Sequence, residues 1–136
     1  MSEERLRPPP KERLAASVQR VNLAEAAAAL RAEPHAAVTG HRQVALVRRG
    51  PVSQILFAFD ADGLFKEHKT EGEVTIHVLA GQMAVTVDSE AITLRAGEIL
   101  ALAPGEVHSV YAVSASDMLL TVCQVPAKDA PVARPD

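Results

Sequence analysis

The chain has 136 residues, a net charge of −3 and a hydrophobic content of 48%. A chain of this length forms one domain with its own core. Its 14 basic residues are spread along the sequence, and aromatic residues make up only 3% of it. Because a nucleic-acid-binding face needs clustered Lys and Arg, usually with stacking aromatics, we expect no nucleic-acid partner.

The sequence also lacks the features of membrane and secreted proteins. No apolar run approaches the length of a membrane span, and the charged first residues are not followed by the apolar region of a signal peptide. The one cysteine, Cys123, excludes an intrachain disulfide and a zinc site of the CxxC type. We therefore expect a cytoplasmic protein with no membrane partner.

The N-terminal part of the chain divides into an arm and a helical segment. Residues 1–11 are charged and include three consecutive prolines, which favours a flexible, extended arm. Over residues 12–34 apolar side chains recur every three or four positions, which predicts helix. Asn22 followed by Glu25 has the character of a capping box, so the helix should start afresh there. Pro34 should end it, because the residue before a proline avoids the α region.

From residue 35 to residue 126 the pattern changes to short apolar or alternating runs separated by turn residues. Many short strands at regular spacing predict a β-sandwich or β-barrel. The last residues, 127–136, have no apolar pattern and should form a loose tail. The predicted strands are 43–48, 52–59, 64–68, 74–79, 83–87, 90–94, 99–102, 107–113 and 117–125.

Two stretches inside the β region carry a recognisable pattern of glycines and histidines. The first runs from Gly63 through His68 to Gly81, and the second runs from Gly97 to His108. Together they resemble the two sequence motifs of the cupin family. The resemblance implies an all-β fold, a double-stranded β-helix or jelly-roll barrel, with a short helical segment before it. The glycines fit a barrel for a physical reason, since they permit tight turns with positive φ.

The resemblance also assigns the metal-ligand positions of the family, and two of them hold unsuitable residues. His68 and His108 stand where the family has histidine ligands. Thr70 stands at the position of a further histidine, and Val74 stands at the position of a glutamate. The leading glycine of the first motif falls at Asp62, one residue before Gly63. The conventional ligand set is therefore incomplete.

Two imidazoles alone fall short of the three protein ligands of a catalytic metal site. If a metal is bound, His68 and His108 should hold it, and imidazole suits Fe, Mn, Ni, Cu or Zn. His77 cannot complete the set, because strand alternation turns it away from the face of Val74. Glu71 or another acidic residue of the segment 67–73 could do so.

Strand alternation predicts which side chains share the barrel interior. Val110 lies on the same face of its strand as His108, whereas Tyr111 lies on the opposite face. His35 and His41 precede the barrel strands, and we expect both at the surface. The predicted ligand pocket consists of His68, Thr70, Val74, Ile76, Val78, His108 and Val110.

Three functions fit this pattern. The first is a module that binds a small molecule in its barrel, with weak metal binding or none. The second is a metal-dependent enzyme, such as a dioxygenase or isomerase, that uses His68 and His108. The third is a structural or regulatory dimer whose barrel is filled by its own side chains. Because open sheet edges promote association and cupins commonly pair sheets between subunits, the resemblance implies a homodimer.

Overall fold

The computed structural model describes Arg7 and residues 13–124, with the side chain of His68 excepted. The predicted tail 127–136 and all of the predicted arm but Arg7 lie outside these residues. No helix within the described ranges is long and apolar enough to cross a membrane. The described elements are α1 (Leu23–Arg31), β1 (His41–Arg49), β2 (Val52–Phe59), β3 (Leu64–His68), β4 (Glu73–Ala80), β5 (Gln82–Val87), β6 (Glu90–Arg95), β7 (Ile99–Leu102), β8 (His108–Ala112) and β9 (Ser116–Cys123).

All nine strands expected from the sequence are present, with bounds that differ by at most two residues. They form a five-stranded sheet in the order β1-β2-β9-β4-β7 and a four-stranded sheet in the order β3-β8-β5-β6. The paired strands are antiparallel throughout these sheets. The predicted all-β jelly-roll architecture is confirmed.

The core lies between the two sheets and follows the two-residue period of the strands. Alternate residues of β4 and β9 are buried along their whole length, because successive side chains of a strand point to opposite faces. Burying each large apolar side chain contributes about 2 kcal/mol. The buried residues of this core are Phe57, Phe59, Val74, Ile76, Val78, Met83, Val85, Leu94, Leu102, Val110, Ala112, Met118, Leu120 and Val122.

Helix α1 starts at the predicted position. The side chain of Asn22 caps it by accepting a hydrogen bond from the backbone N–H of Glu25 at 2.9 Å. Residues 15–22 are not helical, so the helical prediction over 12–34 was wrong in its first part. This part instead bonds to the edge of the sheet, because Arg49 donates to the carbonyls of Ala16 and Ser17, and Val18 remains 84% exposed.

Helix α1 packs on the outer face of the five-stranded sheet. Its buried residues Ala27 and Leu30 contact Leu56 and Ala58 of β2. Arg31, in the last turn, fixes the helix to the sheet: it donates to the Ser116 carbonyl at 2.9 Å and to Asp117 Oδ1 at 2.5 Å. The helix therefore covers the side of the sheet formed by β1 and β2.

The segment before α1 protects the edge of the same sheet. Strand β1 is an edge strand, and its register with β2 shifts between Ala45 and Val47. Arg13 donates to the carbonyl of Ala45 at 2.7 Å, and Gln19 donates to the carbonyl of Leu46 at 3.0 Å. These side chains occupy backbone acceptors that an edge strand would otherwise offer to another chain.

Candidate functional site

The two motif histidines lie on neighbouring strands of the four-stranded sheet. In the pairing of β3 with β8, His68 is the direct partner of His108. The register shifts between Phe65 and His68, so the strand is irregular just before the histidine. The backbone therefore brings together two residues that are 40 positions apart in the sequence. That both imidazoles enter one pocket stays a prediction.

His108 is buried in the core, with only 1% of its surface exposed. Its Nδ1 lies 3.1 Å from the carbonyl oxygen of Glu106, so in the neutral ring Nδ1 carries the proton and donates to that carbonyl. The lone pair is then on Nε2. Backbone carbonyls commonly fix the orientation of functional histidine rings in this way.

Thr70 belongs to a turn rather than to a ligand set. Its hydroxyl accepts a hydrogen bond from the backbone N–H of Gly72 at 2.9 Å. Its carbonyl accepts one from the N–H of Gly105 at 2.8 Å. The loop that follows His68 is thus joined to the loop that precedes His108, and the two loops form one end of the barrel.

Val74 occupies the glutamate position of the family and is packed in the core. It is 2% exposed and pairs with Leu102 on one side and Val122 on the other. An isopropyl group surrounded by apolar side chains supplies no ligand atom. A carboxylate at this position would need a cation beside it, because burying an unpaired charge is costly.

The other predicted pocket residues face the interior. Ile76 and Val78 of the five-stranded sheet are fully buried, and Val110 of the opposite sheet is 1% exposed. His77 lies on the outer face of β4, half-buried, with Leu119 and Ile99 as its strand partners. This agrees with the expectation from strand alternation. The use of the interior residues as a ligand pocket stays a prediction.

Tyr111 lies on the outside, as expected, with 41% of its surface exposed. Its hydroxyl donates a hydrogen bond to the carboxylate of Asp62. This hydrogen bond raises the pKa of the tyrosine hydroxyl, and desolvation and the charge of Asp62 add to the effect.

Asp62 also explains an apparent gap in the first motif. Its φ of +68° is in the left-handed region that glycine favours, so the position where the family has its leading glycine keeps the glycine-like backbone. Gly63 is needed for another reason: a Cβ there would lie 2.3 Å from the carbonyl oxygen of Gly40.

His41 is the residue that sequence reasoning misplaced. The prediction that it lies at the surface was wrong, since it is only 9% exposed. Its ring packs against Phe57, Phe59 and Phe65, with centroid distances of 5.5, 5.3 and 5.6 Å. The strand that contains it begins two residues earlier than the apolar run indicates, and its pairing with Phe59 places it beside the core.

Both ring nitrogens of His41 have partners within the protein. Nδ1 lies 3.1 Å from the carbonyl of Leu64 on β3, and Nε2 lies 3.3 Å from the side-chain oxygen of Gln43. Because β1 and β3 are edge strands of different sheets, His41 joins the two sheets where the sandwich is open. His35, by contrast, has a side chain that is 58% exposed, as expected.

The described donors do not fit the metal site of the family. No group of three or more His, Cys, Asp or Glu among the described side chains could hold a metal ion. The acidic candidates Glu71 and Glu73 are exposed, and Thr70 and Val74 are engaged as described above. The described side chains therefore do not supply a complete metal-ligand set.

Comparison with known proteins identifies the family. The sequence profile described as the Cupin domain matches residues 55–123, just over half of the chain, and both motif histidines fall within the match. No functionally curated protein matches the chain.

Solved structures show the same fold. A conserved protein of unknown function from Streptococcus pyogenes is 26% identical, with a TM-score of 0.59 over 70% of this chain and 78% of its own. A cupin superfamily protein from Desulfitobacterium hafniense is 18% identical, with a TM-score of 0.65 over 83% of this chain and 96% of its own. A predicted oxalate decarboxylase from Thermotoga maritima is 17% identical, with a TM-score of 0.58 over 62% of this chain and 81% of its own. With its nine-stranded jelly roll and a profile match across both motifs, this chain belongs to the cupin family.

Proposed function

We propose that this cupin binds a small molecule in its barrel, next to His108 and His68, without needing a metal ion. The observation that carries the proposal is the position of His108: a buried imidazole, held by the Glu106 carbonyl, whose direct strand partner is a second histidine. The apolar core between the two sheets includes Val110, two residues along the same strand. A ligand with an apolar body and one group that hydrogen-bonds to imidazole matches this interior.

The loops at this end of the barrel support the same proposal. The hydrogen bond between Gly105 and Thr70 holds the two loops together, so the entrance next to His108 has a defined shape. Glu71 and Glu106 on these loops are exposed and half-buried, respectively, and they would lie outside the apolar interior. The ligand is therefore expected to be neutral or weakly basic in the part that stays near the entrance.

A metal-dependent enzyme is the second candidate, and the pairing of His68 with His108 is the observation in its favour. An acidic residue of the segment 67–73 would have to join them. The incomplete ligand set argues against it, because Val74 and Thr70 supply no suitable donor. The similarity to a predicted oxalate decarboxylase is at 17% identity and supports the shared fold alone.

Metal analysis separates the two candidates. The protein is purified without a histidine tag, and its Fe, Mn, Ni, Cu and Zn contents are measured by mass spectrometry. We expect less than a tenth of an equivalent of each metal, and unchanged folding after chelator treatment. One equivalent of a metal that is lost in the His68→Ala, His108→Ala double variant would overturn the proposal and support the enzyme.

A ligand screen by thermal shift tests binding itself. We expect at least one class of small apolar amine, amide or alcohol to raise the melting temperature of the wild type and of Thr93→Ala, whose substitution lies at an exposed position of β6. The same compound should have no effect on His108→Leu. A compound that stabilises His108→Leu as much as the wild type would place its site elsewhere.

We further propose that the protein forms a homodimer in the cytoplasm. The cluster under helix α1 extends from β1 and β2 to Leu79 of β4, while Ile99 on β7 is 60% exposed and Leu119 and His77 are half-buried on the same face. A second copy would cover these residues. Light scattering coupled to size exclusion measures the mass directly, and a wild-type monomer at micromolar concentration would contradict this assembly.

A further inference from the structure

A cavity lies outside the barrel, between the start of β1 and the segment that follows α1. Its volume is about 360 Å³, which is within the range of roughly 300–1,000 Å³ typical of small-molecule sites. No Asp or Glu belongs to its described lining. The residues that line it are Arg7, His35, Ala36, Val38, His41, Arg42 and Gln43.

Arg42 is the central residue of this cleft, because part of its guanidinium group lacks an acceptor. Its Nη2 donates to the backbone carbonyl of His35 at 2.5 Å. Its Nε is buried and has no hydrogen-bond partner among the described atoms. A buried donor on a charged group is costly to leave unsatisfied. An acceptor brought by a bound molecule would satisfy this donor, since the described part of the chain supplies none.

The charges around the cleft also favour an anion. The nearest carboxylate is Glu33, and both of its oxygens bind Arg7 at 3.0 Å. The imidazole of His35 lies 3.4 Å from the same carboxylate. Glu33 is thus used to neutralise Arg7, and no described carboxylate is paired with Arg42. The described residues of the cleft therefore keep a net positive charge.

The other residues that line the cleft limit the size and the chemical class of the anion. Ala36 and Val38 are apolar, while His35 and Gln43 bring polar side chains to the opening. A planar guanidinium offers two parallel donors that match the geometry of a carboxylate or phosphate group. We infer that this cleft binds a small oxyanion, a carboxylate or a phosphate group, through Arg42. This site is separate from the barrel site proposed above and does not depend on it.

Arginine side-chain NMR tests the inference on the wild-type protein. The Nε–H signal of Arg42, assigned through bonds from its backbone amide, is followed while inorganic phosphate or succinate is added against sodium chloride of matched ionic strength. We expect a saturable shift of this signal with at least one of the two anions. The response to phosphate or to succinate tells which oxyanion the cleft prefers. An Arg42 signal that moves no more than it does with chloride would overturn the inference.

Variants add a second readout. Arg42→Gln removes the charge, and Arg48→Gln is the matched control, since Arg48 is an exposed arginine on the same strand. We expect Arg42→Gln to weaken binding of the effective anion at least about tenfold by calorimetric titration, the loss typical of one charge-assisted hydrogen bond. Arg48→Gln should bind as the wild type does. Equal affinities in wild type and Arg42→Gln would overturn the inference, and if Arg42→Gln fails to fold, the wild-type NMR titration decides alone.

Discussion

His41 and His108 are both buried histidines of one barrel, and they differ in what their nitrogens contact. His41 lies among three phenylalanine rings, and its two nitrogens contact Leu64 and Gln43. His108 is held at Nδ1 by the carbonyl of Glu106, two residues before it, and its strand partner is another histidine. Burial alone therefore does not mark a functional histidine.

The comparison also explains the roles we assign. His41 joins the edge strands β1 and β3, so its removal should open the sandwich. His108 is oriented by its own loop, with Nε2 carrying the lone pair in the neutral ring, so its removal should affect ligands more than folding. The following predictions change one region at a time, beginning with the largest expected effect.

The largest effect is expected at Val74, beside the His108 region. Val74→Glu places a carboxyl group at a position that is 2% exposed, and this should lower the free energy of unfolding by about 3 kcal/mol or more. Urea unfolding measures the loss. The control is Thr93→Glu, which lies at an exposed position of β6 in the other sheet and should change stability little.

A substitution at the same position tests whether the side chains of the two motif histidines point into one cavity of the barrel. The double variant Thr70→His, Val74→Glu rebuilds the ligand set of the family around His68 and His108. We expect it to bind one equivalent of Ni²⁺ or Zn²⁺ and to regain stability when the metal is added, because the cation compensates the buried carboxylate. Calorimetric titration measures the binding. Absence of metal binding in the folded double variant would show that the histidines do not converge.

A smaller loss of stability is expected from His41→Ala. The substitution removes a ring that contacts Phe57, Phe59 and Phe65 and leaves a cavity, so the free energy of unfolding should fall by about 2–4 kcal/mol. Ligand binding in the barrel should persist at temperatures where the variant is folded. His35→Ala, at an exposed histidine, serves as the control. A loss within error of that control would contradict a structural role for His41.

His108→Leu should change stability less than His41→Ala does. Leucine keeps much of the buried volume and loses mainly the hydrogen bond to the Glu106 carbonyl, which is worth about 1 kcal/mol. We expect the barrel ligand to be lost at the same time. If His108→Leu unfolds as readily as His41→Ala, the distinction between a structural and a functional histidine fails.

The smallest effect concerns Tyr111, on the outer face of the strand that carries His108. Its pKa is raised above 10.0 by the hydrogen bond to Asp62, so folding favours the protonated phenol. The stability it contributes is therefore present below pH 10 and is lost as the pH rises through the folded pKa. Because the chain has one Tyr and no Trp, ultraviolet titration reads this group directly. Asp62→Asn should lower the pKa, and an unchanged titration would contradict the assignment.

Much of the fold was predictable because strand patterns are local. The alternation of buried and outward residues in β4 gave the opposite orientations of Ile76 and His77 without any tertiary information. The turn glycines were equally readable, and Gly81, Gly97 and Gly105 all have positive φ. The helix before the barrel was only partly predictable, since residues 15–22 carry a helical pattern but their carbonyls at Ala16 and Ser17 accept hydrogen bonds from Arg49 of β1.

The sequence by itself determined the succession of strands and their bounds, because hydrophobic period and turn residues act over a few positions, and the resemblance of its two motifs to those of cupins added the jelly-roll class and the two motif histidines. Only the tertiary structure decided that His68 pairs with His108, that His41 is enclosed by phenylalanines, and that Arg42 holds a buried donor with no acceptor in the described chain. Each of these depends on contacts between segments far apart in the sequence. Such contacts are set by sheet registry and packing, which no local pattern specifies.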